Sequence, residues 1–212
     1  LRTTTSYQSC PHPGRLAETN VAHFACHGYF NFKSPIDSAL LLAGSRTPTP
    51  QETADGNGIN LEKCLTLGDI FALDLRQCRL TSLSACETGL SDFKSLGDEY
   101  IGLPSGFLYA GSPSVVSSLW TVNDLSTALL MIQLYKNLLN SQEPTNVAIA
   151  LNQAQLWLRD LTKEKLEKWI LENKIPLSPT LEMNLARRLH QMSDKDQPFE
   201  SPFYWAGFCA IG

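Results

Sequence analysis

NVAHFACHG, residues 20–28, is the stretch that decides the fold. Asn20 to Cys26 is a short apolar run closed by His27-Gly28, which reads as a β-strand meeting a turn. A second such run, RLTSLSA (Arg79–Ala85), leads directly into Cys86 and the turn-forming Glu87-Thr88-Gly89. Between them, LGDIFAL (Leu67–Leu73) has the pattern of a short amphipathic helix. An intervening helix predicts that the two strands lie parallel, joined by a right-handed crossover. Their carboxyl ends then open on one edge of the sheet, where open α/β folds bind ligands.

Outward from these strands, SALLLA (Ser38–Ala43) is another apolar run, and residues 44–60, with Pro48, Pro50, Gly56, Asn57 and Gly58, read as a surface loop. Asp98–Ala110 can form a helix, with Pro104 either in its first turn or at a kink. Ser114–Thr121 is a buried strand, and Asp124 is placed to cap a long helix reaching Asn140. Further helices are expected over 145–161, 162–174 and 180–192, and Trp205–Ile211 reads as a closing strand. Residues 1–19 are an irregular N-terminal segment. The apolar runs are mostly unbroken rather than alternating, as in strands covered on both faces. The whole predicts an α/β domain over residues 20–212, with a mainly parallel sheet and helices on both faces.

Composition is that of an ordinary globular chain: 212 residues, 43% hydrophobic, 18% charged, formal net charge -4. Without a dense run of Lys or Arg, nothing electrostatic supports a nucleic acid or a membrane surface as partner. No apolar stretch is long enough to cross a bilayer, and no secretion signal opens the chain. A chain of this length does not need its six cysteines to replace a core, and several sit in apolar runs as small hydrophobes. A reducing cytoplasm is the expected compartment. The start at Leu1 reads as a fragment or a processed form.

The chemistry lies at the two strand ends. A thiol with an ordinary pKa of about 8.5 needs help to become a thiolate. An imidazole beside it can take the proton and later protonate a leaving amine. His27 ends one predicted strand and Cys86 the other, so the two are the candidate catalytic pair. Gly28 lacks a Cβ, so its N–H can approach a substrate carbonyl closely. With the N–H of Cys86 it could form an oxyanion hole, worth roughly 3 kcal/mol per donor.

Blander readings compete. His23 and His27 have the spacing of a helical zinc pair, but the zinc motif needs Glu where Phe24 stands, and the segment reads as a strand; no metal or cofactor is expected. Alternation along that strand would point Cys26 to the face opposite His27, into the core. Glu87 either orients the site or is solvated. Met131 and the leucines of the long helix are core by default, and Trp157 and Trp169, on polar helices, could mark a partner surface.

HFACHG (23–28), SALLLAG (38–44), LTLGDIFALDL (65–75) and LSACETG (83–89), in this order, resemble the CHAT domains. The likeness continues through GLPSGFLYAGSPSVVSSLWTVND (102–124) and PFYWAGFCAIG (202–212). These are caspase-like and separase-like cysteine peptidase domains, usually found behind tetratricopeptide repeats. The resemblance implies a caspase-type fold, His27 and Cys86 as the catalytic pair, and Gly28 in the oxyanion hole. It implies a protein or peptide substrate cut at limited sites, under the control of attached repeats or a partner protein. For Asp124 it adds a second reading, an acidic wall of the S1 pocket favouring a basic P1 residue. Family domains carry a strand and helix ahead of the HFACHG strand, so this chain is expected to lack one or more N-terminal strands. The polar helical segment near 160–200 exceeds the family's minimum. Two rivals stay open: an inactive caspase-like interaction module, and a redox or metal protein.

Overall fold

The computed structural model describes residues 16–31, 33–45, 59–84, 102–140, 146–175 and 177–212. The chain divides into two compact units, Leu1–Thr121 with Phe208–Gly212, and Val122–Gly207.

The first unit contains, in chain order, β1 (Val21–Phe24), β2 (His27–Tyr29), β3 (Ala39–Leu41), β4 (Cys64–Thr66), α1 (Leu67–Phe71), β5 (Leu80–Leu83), α2 (Leu103–Tyr109), β6 (Val115–Ser118) and, from the far end of the chain, β7 (Phe208–Ile211). A four-stranded sheet has the order β1-β5-β6-β7. Its first three strands are parallel and β7 is antiparallel. The fold is therefore α/β with a mainly parallel sheet, as a caspase-like architecture requires.

Alternation along β1 sends Ala22 and Phe24 into the main core, with Leu83, Val115, and Leu67, Ile70, Leu103 and Phe107 from the two helices. The Phe24 and Phe107 rings lie 5.4 Å apart, tying β1 to α2. A Cβ on Gly106 would stand 2.5 Å from Leu67 Cδ1 and 3.1 Å from Ile70 Cγ2, so glycine permits the close approach of α2 to α1. Pro104 sits in the first turn of α2, where its missing N–H leaves no bond unmade, and no kink results.

The sequence reading needs correction at Cys26-His27-Gly28. Asn20–Cys26 is not one strand ended by a turn. β1 stops at Phe24, the chain bends at Cys26, and His27 opens β2 of a separate sheet with the order β2-β3-β4. The antiparallel partner β3 decides this: His27 pairs with Leu41, Gly28 with Leu40 and Tyr29 with Ala39. β3 is buried on both sides. Leu40 joins the main core, while Ala39 and Leu41 form a second small cluster with Cys64, against which Tyr29, Ile59 and Leu61 pack.

β4 was not anticipated, because three residues carry no readable period. Its last residue, Thr66, is also the N-cap of α1, in a capping box with Asp69. Trp205 was expected in the closing strand, but Ser201-Pro202 starts a short helix that includes it, and β7 begins at Phe208. Pro at the first helical position favours that turn.

The second unit is helical: α3 (Asp124–Asn140), α4 (Val147–Arg159), α5 (Lys163–Asn173), α6 (Pro179–Leu189) and α7 (Pro202–Trp205). The cap reading of Asp124 is corrected here. Asn123 Oδ1 accepts from the Ser126 N–H at 3.1 Å, so Asn123 is the cap and Asp124 lies inside the first turn. Asn146, Thr162 and Ser178 cap the next three helices with their side chains. Within the polar stretch 160–200, Arg188 is the organising residue. Its guanidinium donates to Tyr204 Oη at 2.8 Å and to the Pro198 carbonyl, and lies 4.3 Å from the Tyr204 ring. Among the described residues no helix is long and apolar enough to cross a membrane.

Candidate active site

The site follows from the register of β1 on β5. Val21 to Phe24 pair in parallel with Leu80 to Leu83, residue for residue, so Phe24 stands beside Leu83. One more bond continues the ladder: the Ser84 N–H donates to the Phe24 carbonyl at 2.9 Å. β1 and β5 therefore end at the same carboxyl edge of the sheet. His27 is three residues beyond Phe24, and Cys86 is three residues beyond Leu83. Cys86, and with it Glu87, lies outside the described residues.

His27 is exposed at the start of β2. Gly28 follows, half-buried, on a strand at the edge of its sheet among the described residues. On an edge strand alternate N–H groups point away from the sheet, available to a ligand. His27 opens a strand here, where a turn was expected. Asp124 is exposed in the second unit, where Asn123 has relieved it of the capping duty.

His23 occupies a different environment. It pairs with Ser82 across the β1–β5 ladder and is half-buried. Its Nε2 lies 2.8 Å from Ser84 Oγ, in a hydrogen bond whose direction depends on the tautomer. Burial holds its pKa below the ordinary 6.5, favouring the neutral ring. Sequence reasoning weighed His23 only as a metal ligand. The signal missed was parity: His23 faces Ser82 across the ladder, and Ser84 lies one alternation on.

The neighbouring thiols are buried or half-buried. Burial, and then the nearby Cys64, push the Cys26 thiol up to about 12. Cys26 packs against the main core, as its sequence context predicted, although from a bend rather than from a strand. Cys64 and Cys78 are buried, and Cys78 donates to the Leu80 carbonyl at 3.3 Å. Among the described residues no group of three or more His, Cys, Asp or Glu could hold a metal ion.

The family model of the CHAT domain matches residues 10–212. The chain belongs to the CHAT domain family. That family is caspase-like and associated with cysteine peptidases. No curated protein matches the chain. The match spans both units of this CHAT domain, including the helices between β6 and β7.

Proposed function

We propose that this CHAT domain is a cysteine endopeptidase with Cys86 as nucleophile and His27 as its acid and base. The thiolate of Cys86 attacks a peptide carbonyl, and the N–H groups of Gly28 and Cys86 hold the oxyanion. His27, having taken the thiol proton, gives it to the departing amine, leaving an acyl-enzyme. Water, deprotonated by His27, then hydrolyses the thioester and restores the thiol. The observation that carries this reading is the pairing of Phe24 with Leu83, which brings the two strand ends out at one rim. The exposure of His27 and the suppressed Cys26 thiol support it.

The substrate is a protein cut at limited sites in the cytoplasm, with access controlled by upstream tetratricopeptide repeats or a partner protein. Asp124 is carried here by the family resemblance alone, as the acidic residue that favours Arg or Lys at P1. Digestion of a peptide library tests the whole reading. Wild type should cut after basic residues, Cys86→Ala should cut nothing, and Asp124→Asn should lose the basic preference while still cutting. Cleavage surviving in Cys86→Ala refutes the nucleophile.

One observation favours a second reading, an interaction module. Trp157 and Trp169 pair at 5.2 Å and line a surface cleft of about 260 Å³ with Leu161, Lys165, Lys168 and Glu172. A library left intact by wild type, together with partner binding lost in Trp169→Ala and kept in Cys86→Ala, would establish it.

A further inference from the structure

We propose that His23, acting through Ser84, is a positioning residue for Cys86: it fixes the end of β5 so that the thiol is presented to His27. The proposal rests on Cys86 being the nucleophile.

Two tethers converge on Ser84. Its N–H donates to the Phe24 carbonyl at 2.9 Å, and its Oγ lies 2.8 Å from His23 Nε2. The first fixes the backbone and the second fixes the side chain, two residues before Cys86. Both come from β1, the strand whose carboxyl end leads to His27. The link therefore couples the segment bearing the imidazole to the segment bearing the thiol. A displacement of about 1 Å at such a junction can cost roughly a hundredfold in rate.

On this face β1 and β5 place His23, Ser82 and Ser84 next to one another. Opposite His23 stands Ser82, fully buried, whose Oγ has no hydrogen-bond partner among the described residues. A buried polar group left unpaired weakens a fold and calls for an explanation. On the other face Thr81 Oγ1 donates to Ser112 Oγ at 3.0 Å, and Ser112 Oγ donates to the Ser114 carbonyl at 3.2 Å, so polar groups there are satisfied. The under-satisfied face is the one shared by His23 and Ser84.

His23 is poorly suited to act as the base itself. It is half-buried and its Nε2 is engaged by Ser84, whereas His27 is exposed. A neutral ring with one donor and one acceptor nitrogen is suited to holding a serine hydroxyl in one orientation.

The test is the rate at which iodoacetamide alkylates Cys86 near neutral pH, followed by peptide mass spectrometry, with a melting temperature for each variant. Ser84→Ala and His23→Leu should each slow alkylation about five- to tenfold, the size of one lost hydrogen bond. The double variant should be no slower than the slower single. His23→Gln, whose amide reaches the Nε2 position, should recover most of the rate. If His23→Leu does not fold, Ser84→Ala and His23→Gln carry the comparison. Melting temperatures that fall while Cys86 reacts at the wild-type rate overturn the proposal, as do additive losses in the double variant. A wild-type Cys86 no faster than a free cysteine overturns the nucleophile reading, and the positioning role with it.

Discussion

The two sheets of the first unit treat their histidines differently. In the parallel sheet His23 is half-buried, hydrogen-bonded to Ser84 and held neutral by burial. Four residues later His27, in the small antiparallel sheet, is exposed. The difference lies in what covers each strand. β1 sends Ala22 and Phe24 into a core shared with two helices, so its neighbours are fixed by packing on one face and by the β5 ladder alongside. β2 is a three-residue strand held on one side by β3. A fold that needs one group anchored and another accessible to substrate can obtain both by changing sheets within a bend.

If that contrast is right, substitutions in the parallel sheet should cost stability out of proportion to those in the small sheet. Phe24→Ala should destabilise the protein by about 3–5 kcal/mol in urea unfolding, since it empties the contact with Phe107. Tyr29→Ala, in the half-buried flank of the second cluster, should cost about 1 kcal/mol. Equal losses would erase the distinction. Gly106→Ala should cost about 1–3 kcal/mol, because its methyl would meet buried Leu67 and Ile70 side chains at the α1–α2 contact. Thr66→Ala probes the junction between the sheets, where one residue ends β4 and caps α1, and should cost about 1 kcal/mol.

The smallest effect concerns pH. Because burial lowers the His23 pKa, the unfolded chain takes up the proton first as pH falls. Stability should therefore decline below the ordinary value of 6.5, and His23→Gln should flatten that decline. Urea midpoints measured from neutral pH downward would reveal it. An unchanged slope would mean that His23 is not held neutral.

Much of this architecture was legible in the sequence because its signals are redundant. The runs around Val21–Phe24 and Leu80–Leu83 are apolar and bounded by turn residues, with a helix between, which is enough to place parallel neighbours. α1 announced itself through its period, and Pro104 fell at the helix start that its chemistry favours. The errors occurred where a signal was one residue wide. Asn123 and Asp124 are both good caps, and only the Ser126 N–H decides between them. His27-Gly28 resembles a turn until β3 arrives to pair with it, a contact remote from the local sequence. The pairing of His23 with Ser84 was hidden for the same reason: it needs the register of two strands, which composition cannot supply. Cys86 lies outside the described residues, and its place beside His27 is supported by the rim that β1 and β5 share.

That rim is tested most directly by the pH profile of iodoacetamide alkylation at Cys86, compared between wild type and His27→Ala. An adjacent imidazole should give wild type a reactive thiolate well below the ordinary thiol pKa of about 8.5, and His27→Ala should return the profile to that ordinary value. Superimposable profiles would contradict the account.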